Sequence, residues 1–163
     1  MLIQEVMTKD VKCCTCEDSA QKAAEIMKSA DTGVVPVVED GDGAKVVGIV
    51  TDRDLCLGVV AEAKDAGEVK VRELLSGRVV GCYADDDTSD VADTMAVYQV
   101  RRLPVLDDND RLIGIVSIGD LSRERAIESD DSGEVLASIS DPNGGASANQ
   151  KEATSPRREK RKS

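Results

Sequence analysis

The chain has no histidine, no tryptophan and no phenylalanine, and Tyr83 and Tyr98 are its only aromatic side chains. Without histidine there is no Ser–His or Cys–His nucleophile pair, no HExxH site, and no imidazole to complete a zinc centre. Without aromatics there are few stacking platforms of the kind that hold single-stranded nucleic acid. No apolar run approaches the ~18 residues needed to span a bilayer. The opening MLIQEVMTKD lacks the basic, apolar and small-residue sections of a secretory signal. These absences predict a cytoplasmic protein with no membrane span and no enzymatic activity. The five cysteines, Cys13, Cys14, Cys16, Cys56 and Cys82, do not form two CxxC pairs. An odd number of thiols in a chain without a leader argues for the reduced form, with the cysteines acting as small apolar side chains on strands.

Charge narrows the partners further. The net charge is −11, and residues 1–126 carry 25 acidic against 15 basic side chains. A body of that sign repels phosphate backbones, so broad nucleic-acid binding is not expected. A small anionic ligand stays open, because its binding depends on the local field.

What the chain does have is a repeat. Gly48 to Leu55 reads GIVTDRDL, and Gly114 to Leu121 reads GIVSIGDL. At an offset of 68, Ile3–Thr8 lies over Val71–Ser76, Cys14 over Cys82, Asp18 over Asp86, Met27 over Met95, and Pro36-Val37 over Pro104-Val105. Two residues drop out in the following polar turn, after which Asp54 lies over Asp120. A single gap placed in a turn is the mark of a true duplication.

Each copy reads as strand, helix, strand, strand, helix. Val11–Cys16 is a short strand, and Asp18-Ser19 and Asp87-Thr88 are N-cap signals. Ala20, Ala23, Ala24 and Met27 lie on one helical face, as do Val91, Met95 and Tyr98. Val34–Val38 and Leu103–Leu106 are second strands, where proline suits a strand start or an edge. EDGDGAK and DDNDR are turns into Val46–Val50 and Leu112–Val116. Counted as calcium loops from Asp40 or Asp107, their twelfth positions are Thr51 and Ile118, not the glutamate such a loop needs. The expected division is a first repeat at 3–63, a linker at 64–70, a second repeat at 71–126, and a disordered tail at 127–163. Neither repeat buries enough surface to be comfortable alone. The expectation is two copies packed sheet to sheet about a pseudo-twofold axis. The basic run RREKRK near the end is read as a solvated terminus, with a nucleic-acid tail as the alternative.

The repeated phrase suggests chemistry. Thr51 and Ser117 sit where a strand enters a helix, and a helix start attracts phosphate oxygens. Asp54 and Asp120 follow three residues later, where an acceptor-only carboxylate suits a ribose diol. The same spacing also describes an ordinary helix cap with a first-turn acid.

The VMT and LLS openings, the strand ending in Pro-Val, and the doubled G-h-h-[ST]-x-x-D resemble the CBS domain pair, or Bateman module, over about residues 3–125. The resemblance implies an α/β (α+β) fold of tandem β-α-β-β-α repeats that commonly associate as a homodimer. It implies clefts for AMP, ADP, ATP or S-adenosylmethionine, with no cofactor required. By position, Thr51 and Ser117 would approach phosphate and Asp54 and Asp120 would hold ribose. Lys12, Cys14, Val34 and Val35, with Cys82 and Leu103, would flank adenine. Arg53 lies beside the first phosphate position. Arg101 and Arg102 lie where the family often places basic phosphate contacts, and the sequence leaves open which cleft they serve. The Thr51/Arg53/Asp54 cleft is expected to bind more tightly. The function implied is a nucleotide-responsive regulatory module acting on a downstream protein that the sequence does not identify. The alternative is a structural or interaction module whose clefts take no ligand.

Overall fold

The computed structural model describes residues 1–39, 45–75 and 79–128. The first acidic turn after Glu39, Ser76 of the LLS opening, and the tail from residue 129 with its RREKRK run lie outside the described residues. The elements in order are α1 (Ile3–Val6), β1 (Cys14–Thr15), α2 (Ala20–Ala30), β2 (Val34–Val38), β3 (Val46–Thr51), α3 (Asp52–Leu55), β4 (Cys82–Tyr83), α4 (Thr88–Tyr98), β5 (Arg102–Leu106), β6 (Leu112–Ser117) and α5 (Ile118–Glu128). A single π turn, Cys56–Val60, prolongs α3, and a 3-10 turn covers Val71–Glu73. Two three-stranded sheets result, ordered β1-β2-β3 and β4-β5-β6. This is the mixed α/β architecture that the repeated strand and helix pattern predicts. Among the described residues no helix is long and apolar enough to cross a membrane.

The contacts group into two compact units. One comprises Met1–Asp10, Val80–Asp108 and the chain from Ile113, and the other Val11–Val79 with Asn109–Leu112. Each unit is closed by a short turn: Ile3–Val6 reaches its unit from a distant part of the chain, whereas Val71–Glu73 lies within the continuous stretch of its own. The amides of Ile3 and Gln4 donate to the carbonyls of Asp86 and Ala84 at 3.0 and 2.9 Å. The matched amides of Val71 and Arg72 donate to Asp18 and Cys16 at 2.9 and 3.2 Å. Ile3 and Val71, both fully buried, then enter two separate cores. Ile3 packs with Met95, Leu103, Val105 and Val116, and Val71 with Met27, Val35, Val37 and Val50. Each such aliphatic side chain contributes about 1.5–3 kcal/mol on leaving water.

The glycine that opens the GIV phrase makes room for these segments. A Cβ on Gly114 would stand 2.6 Å from the Met7 sulfur and 3.0 Å from the Thr8 carbonyl oxygen. A Cβ on Gly48 would meet the Leu75 methyls at 2.8 and 2.9 Å. Real Cβ atoms do not approach that closely, so a side chain at Gly114 would press on the Thr8 backbone and one at Gly48 would have to displace the Leu75 side chain.

Several local expectations are refined. Ser19 and Asp87 are the N-caps of α2 and α4, accepting from the amides of Lys22 at 3.1 Å and Ser89 at 2.9 Å. Asp18 instead accepts from the Thr15 amide at 2.8 Å, as Asp86 does from Tyr83 at 2.8 Å. On α2 the buried face is Ala20, Ala23, Ile26 and Met27, and Ala24 is exposed. On α4 Ala92 joins Val91 and Met95 inside, whereas Tyr98 is 40% exposed. Each buried face keeps most of the residues read from spacing and exchanges one, Ile26 for Ala24 on α2 and Ala92 for Tyr98 on α4.

The prolines also differ from expectation. Pro36 and Pro104 lie inside β2 and β5, the middle strands of their sheets, rather than at a start or an edge. The two-residue β1 meets β2 only at Val37 and Val38, and β4 meets β5 only at Val105 and Leu106. Each proline therefore falls just before that ladder begins, where its missing N–H removes no pairing. The first strand predicted from Val11 shrinks to Cys14–Thr15 for the same reason.

Candidate functional site

The strand-to-helix corners of the two repeats are built alike. At the first, the Thr51 hydroxyl donates to Asp54 Oδ2 at 2.7 Å and accepts from the Asp54 amide at 3.2 Å, while the Thr51 amide donates to the same Oδ2 at 2.8 Å. At the second, the Ser117 hydroxyl donates to Asp120 Oδ2 at 2.6 Å and accepts from the Asp120 amide at 3.2 Å, and the Ser117 amide donates to Oδ2 at 2.8 Å. Both are reciprocal capping boxes with aspartate in the place usually taken by glutamate. A cap of this kind is worth about 1 kcal/mol to its helix. It also orients a carboxylate. With Oδ2 anchored by two donors, Oδ1 is presented in a fixed direction.

That second oxygen distinguishes the corners. Asp54 Oδ1 has no partner among the described residues. Asp120 Oδ1 accepts from the Arg123 guanidinium, in a pair where Asp120 is 16% exposed and Arg123 75%. The residue at the Arg123 position in the first repeat is Leu57, which is exposed and uncharged.

Around Thr51, the register of the sheet sets Val34 opposite Thr51 and Val35 opposite Val50. The Asp52 amide donates to the Gly33 carbonyl at 3.0 Å, fastening the start of α3 to the residue before β2. Around Ser117, the Ile118 amide donates to the Arg101 carbonyl at 2.9 Å, so Arg101 and Arg102 flank the start of α5. The Arg53, Arg101 and Arg102 side chains are exposed, and Lys12 is exposed just ahead of β1.

The expected adenine-flanking residues lie deeper. Cys14 pairs with Val37, three positions along β2 from Val34, and Cys14 and Val35 are 2% and 0% exposed. In the other unit Cys82 and Leu103 are 2% and 1% exposed. Burial pushes the Cys14 and Cys82 thiols up to about 12, with Asp18 and Asp86 adding to the effect. Both therefore stay protonated and pack as small apolar groups, and the Cys82 thiol lies 3.8 Å from the Pro104 carbonyl oxygen. Among the described residues no three histidine, cysteine, aspartate or glutamate side chains gather as metal ligands would.

Two residues at the corners were not singled out from the sequence. Asp52 folds back over Gly33, and Arg123 reaches Asp120. The signal was present in the offset of 66, which sets Asp52 against Ile118 and Leu57 against Arg123.

Comparison with known proteins agrees with this architecture. The family model described as CBS domain matches residues 3–60 and again 71–127. The chain is 42% identical over 120 residues to the uncharacterized protein YlbB of Bacillus subtilis, covering 74% of this chain and 79% of that one. It is 35% identical over 141 residues to the CBS domain-containing protein YhcV of the same organism, covering 86% of this chain and 96% of that one. Among solved structures, the CBS domain pair of MJ0100, in complex with 5′-methylthioadenosine and S-adenosyl-L-methionine, aligns with a TM-score of 0.68 at 27% identity, covering 77% of this chain and 99% of that one.

Proposed function

The chain belongs to the CBS domain family, and from that premise we propose that it is a non-catalytic regulatory module that binds adenosine compounds at the Thr51–Asp54 and Ser117–Asp120 corners. The observation that carries this reading is the Asp54 carboxylate. One of its oxygens is held by the Thr51 amide and hydroxyl, and the other is open to the diol of a ribose. Preorganisation of this kind lowers the ordering cost of binding. The bound adenosine compounds of the MJ0100 pair support the choice of ligand class.

The ligand is AMP, ADP, ATP or S-adenosylmethionine, no further cofactor takes part, and the protein works in the cytoplasm as a homodimer on a downstream partner. Regulation requires that the ligand bind one arrangement of the protein better than another. Ligand that binds the native state alone also stabilises it, by about 2.7 kcal/mol at a hundredfold excess over Kd.

The test is thermal unfolding and titration calorimetry with an adenosine panel, on the wild type and on Asp54→Ala. The wild type gains stability with at least one adenosine compound. Asp54→Ala loses most of the binding at its corner and stays folded, giving up only about 1 kcal/mol with the cap. Unchanged calorimetry for this variant overturns the assignment of Asp54. Absence of any stabilisation across the panel overturns the adenosine reading.

A further inference from the structure

The two corners share a backbone and carry opposite charge on it. The hydrogen bonds from Asp52 to Gly33 and from Ile118 to Arg101 set matched pairs of residues side by side. In the first corner the helix side contributes a carboxylate and the strand side a bare glycine. In the second, the helix side contributes an isoleucine and the strand side an arginine. The Asp52 carboxylate occupies the space that a side chain at position 33 would need. A Cβ on Gly33 would stand 2.7 Å from Asp52 Oδ2. Asp52 Oδ1 meanwhile accepts from the Arg53 amide at 2.8 Å, which holds the carboxylate in place.

The local balance follows. Asp52 and Asp54 flank a single arginine, Arg53, in the chain, whereas Asp120 pairs with Arg123 at a helix start that the Ile118 amide fastens beside Arg101 and Arg102. The overall charge of the chain has one sign, but these two local fields do not.

We propose that the Thr51–Asp54 corner takes an adenosine compound whose 5′ substituent carries no net negative charge, and that the Ser117–Asp120 corner takes one whose 5′ substituent is a phosphate. Asp52 is the residue that turns phosphate away from the first. The inference rests on reading both corners as adenosine sites, and it reverses the expectation that Arg53 draws phosphate to Thr51. In the second corner the phosphate attracts Arg123 away from Asp120, which frees Oδ1 for the ribose. Ligand charge and carboxylate release are thereby coupled at that corner. A unit charge about 6 Å away, at an effective dielectric of about 20, changes affinity by roughly tenfold or more, and salt reduces the effect.

The experiment is calorimetry of the full chain with AMP and with 5′-methylthioadenosine at low salt. The variants are Asp52→Asn and the double substitution Arg101→Gln with Arg102→Gln. All three changes are on exposed side chains, Asp52→Asn is nearly isosteric, and circular dichroism verifies the fold. The double variant should lower the preference for AMP over 5′-methylthioadenosine at least tenfold. Asp52→Asn should raise AMP stoichiometry from one towards two per chain. If the double variant weakens both compounds equally, or Asp52→Asn leaves AMP binding unchanged, the charge division falls while the adenosine reading stands. If neither compound binds the wild type, both fall together.

Discussion

The Thr51–Asp54 and Ser117–Asp120 corners differ by no more than 0.1 Å in any of their three capping hydrogen bonds, yet almost nothing beside those bonds is shared. Asp52, Arg53 and Leu57 stand at one, Ile118, Gly119 and Arg123 at the other. The bonded groups are the ones that close a strand onto a helix, and any change there leaves an orphan N–H. Asp52, Arg53, Leu57, Gly119 and Arg123 are exposed, so charge at those positions is free to vary at little cost to the fold, whereas Ile118 packs partly against the core of its unit. A duplicated frame can in this way hold two different local fields.

The comparison can be broken most forcefully at the segments that complete each unit. Ile3 is fully buried in the core of β5 and β6, although it precedes β1 in the chain. Ile3→Ala should cost about 2–5 kcal/mol. Hydrogen exchange should accelerate among residues 82–121 well before it does so among residues 14–75. The opposite order would mean that the opening segment serves the sheet next to it in sequence.

A sharper contrast of intermediate size lies at the paired glycines. Gly114→Ala meets both a flexible sulfur and the fixed carbonyl of Thr8, whereas Gly48→Ala meets only the methyls of Leu75. Overpacking costs about 1–3 kcal/mol, and the larger share should fall on Gly114→Ala because a backbone atom yields less readily than a side chain. Equal denaturation midpoints for the two variants would remove that distinction.

The smallest effect separates the caps of α2 and α4. The amide and hydroxyl of Ser89, then the N-terminal ammonium, hold the Asp87 carboxyl down to about 2 from 3.8. A group whose folded pKa is lowered stabilises the protein above its unfolded pKa, and that stability is lost as pH falls through the folded value. Ser19, its counterpart, has nothing to titrate. With Asp87 47% exposed, solvent screening keeps the contribution below about 1 kcal/mol. Urea unfolding of Asp87→Ser should therefore show a shallower loss of stability than the wild type as pH drops from above 3.8 towards 2. Identical slopes would place the acid sensitivity elsewhere.

Much of this was legible beforehand because it is local. The spacing of Thr51 to Asp54 and of Ser117 to Asp120 announces a cap within one helical turn, and β2 and β3 show as apolar runs between turn residues. What spacing leaves open is of a different kind. It sets Ala24 and Tyr98 on the buried faces, yet both are exposed, since a stripe does not say which neighbour will cover it. It suits Pro36 and Pro104 to a strand start or an edge, since the sequence does not show that β1 and β4 are only two residues long.

The sequence by itself determined the duplication, the two strand-to-helix corners and the sign of every charge around them, because each depends on residues a few positions apart. Only the tertiary structure decided that Ile3 completes the unit of β4–β6 and Val71 that of β1–β3. It alone decided that Asp52 lies over Gly33. Those outcomes depend on which surfaces remain open once the sheets have formed, and matched repeats offer equivalent surfaces that spacing cannot tell apart.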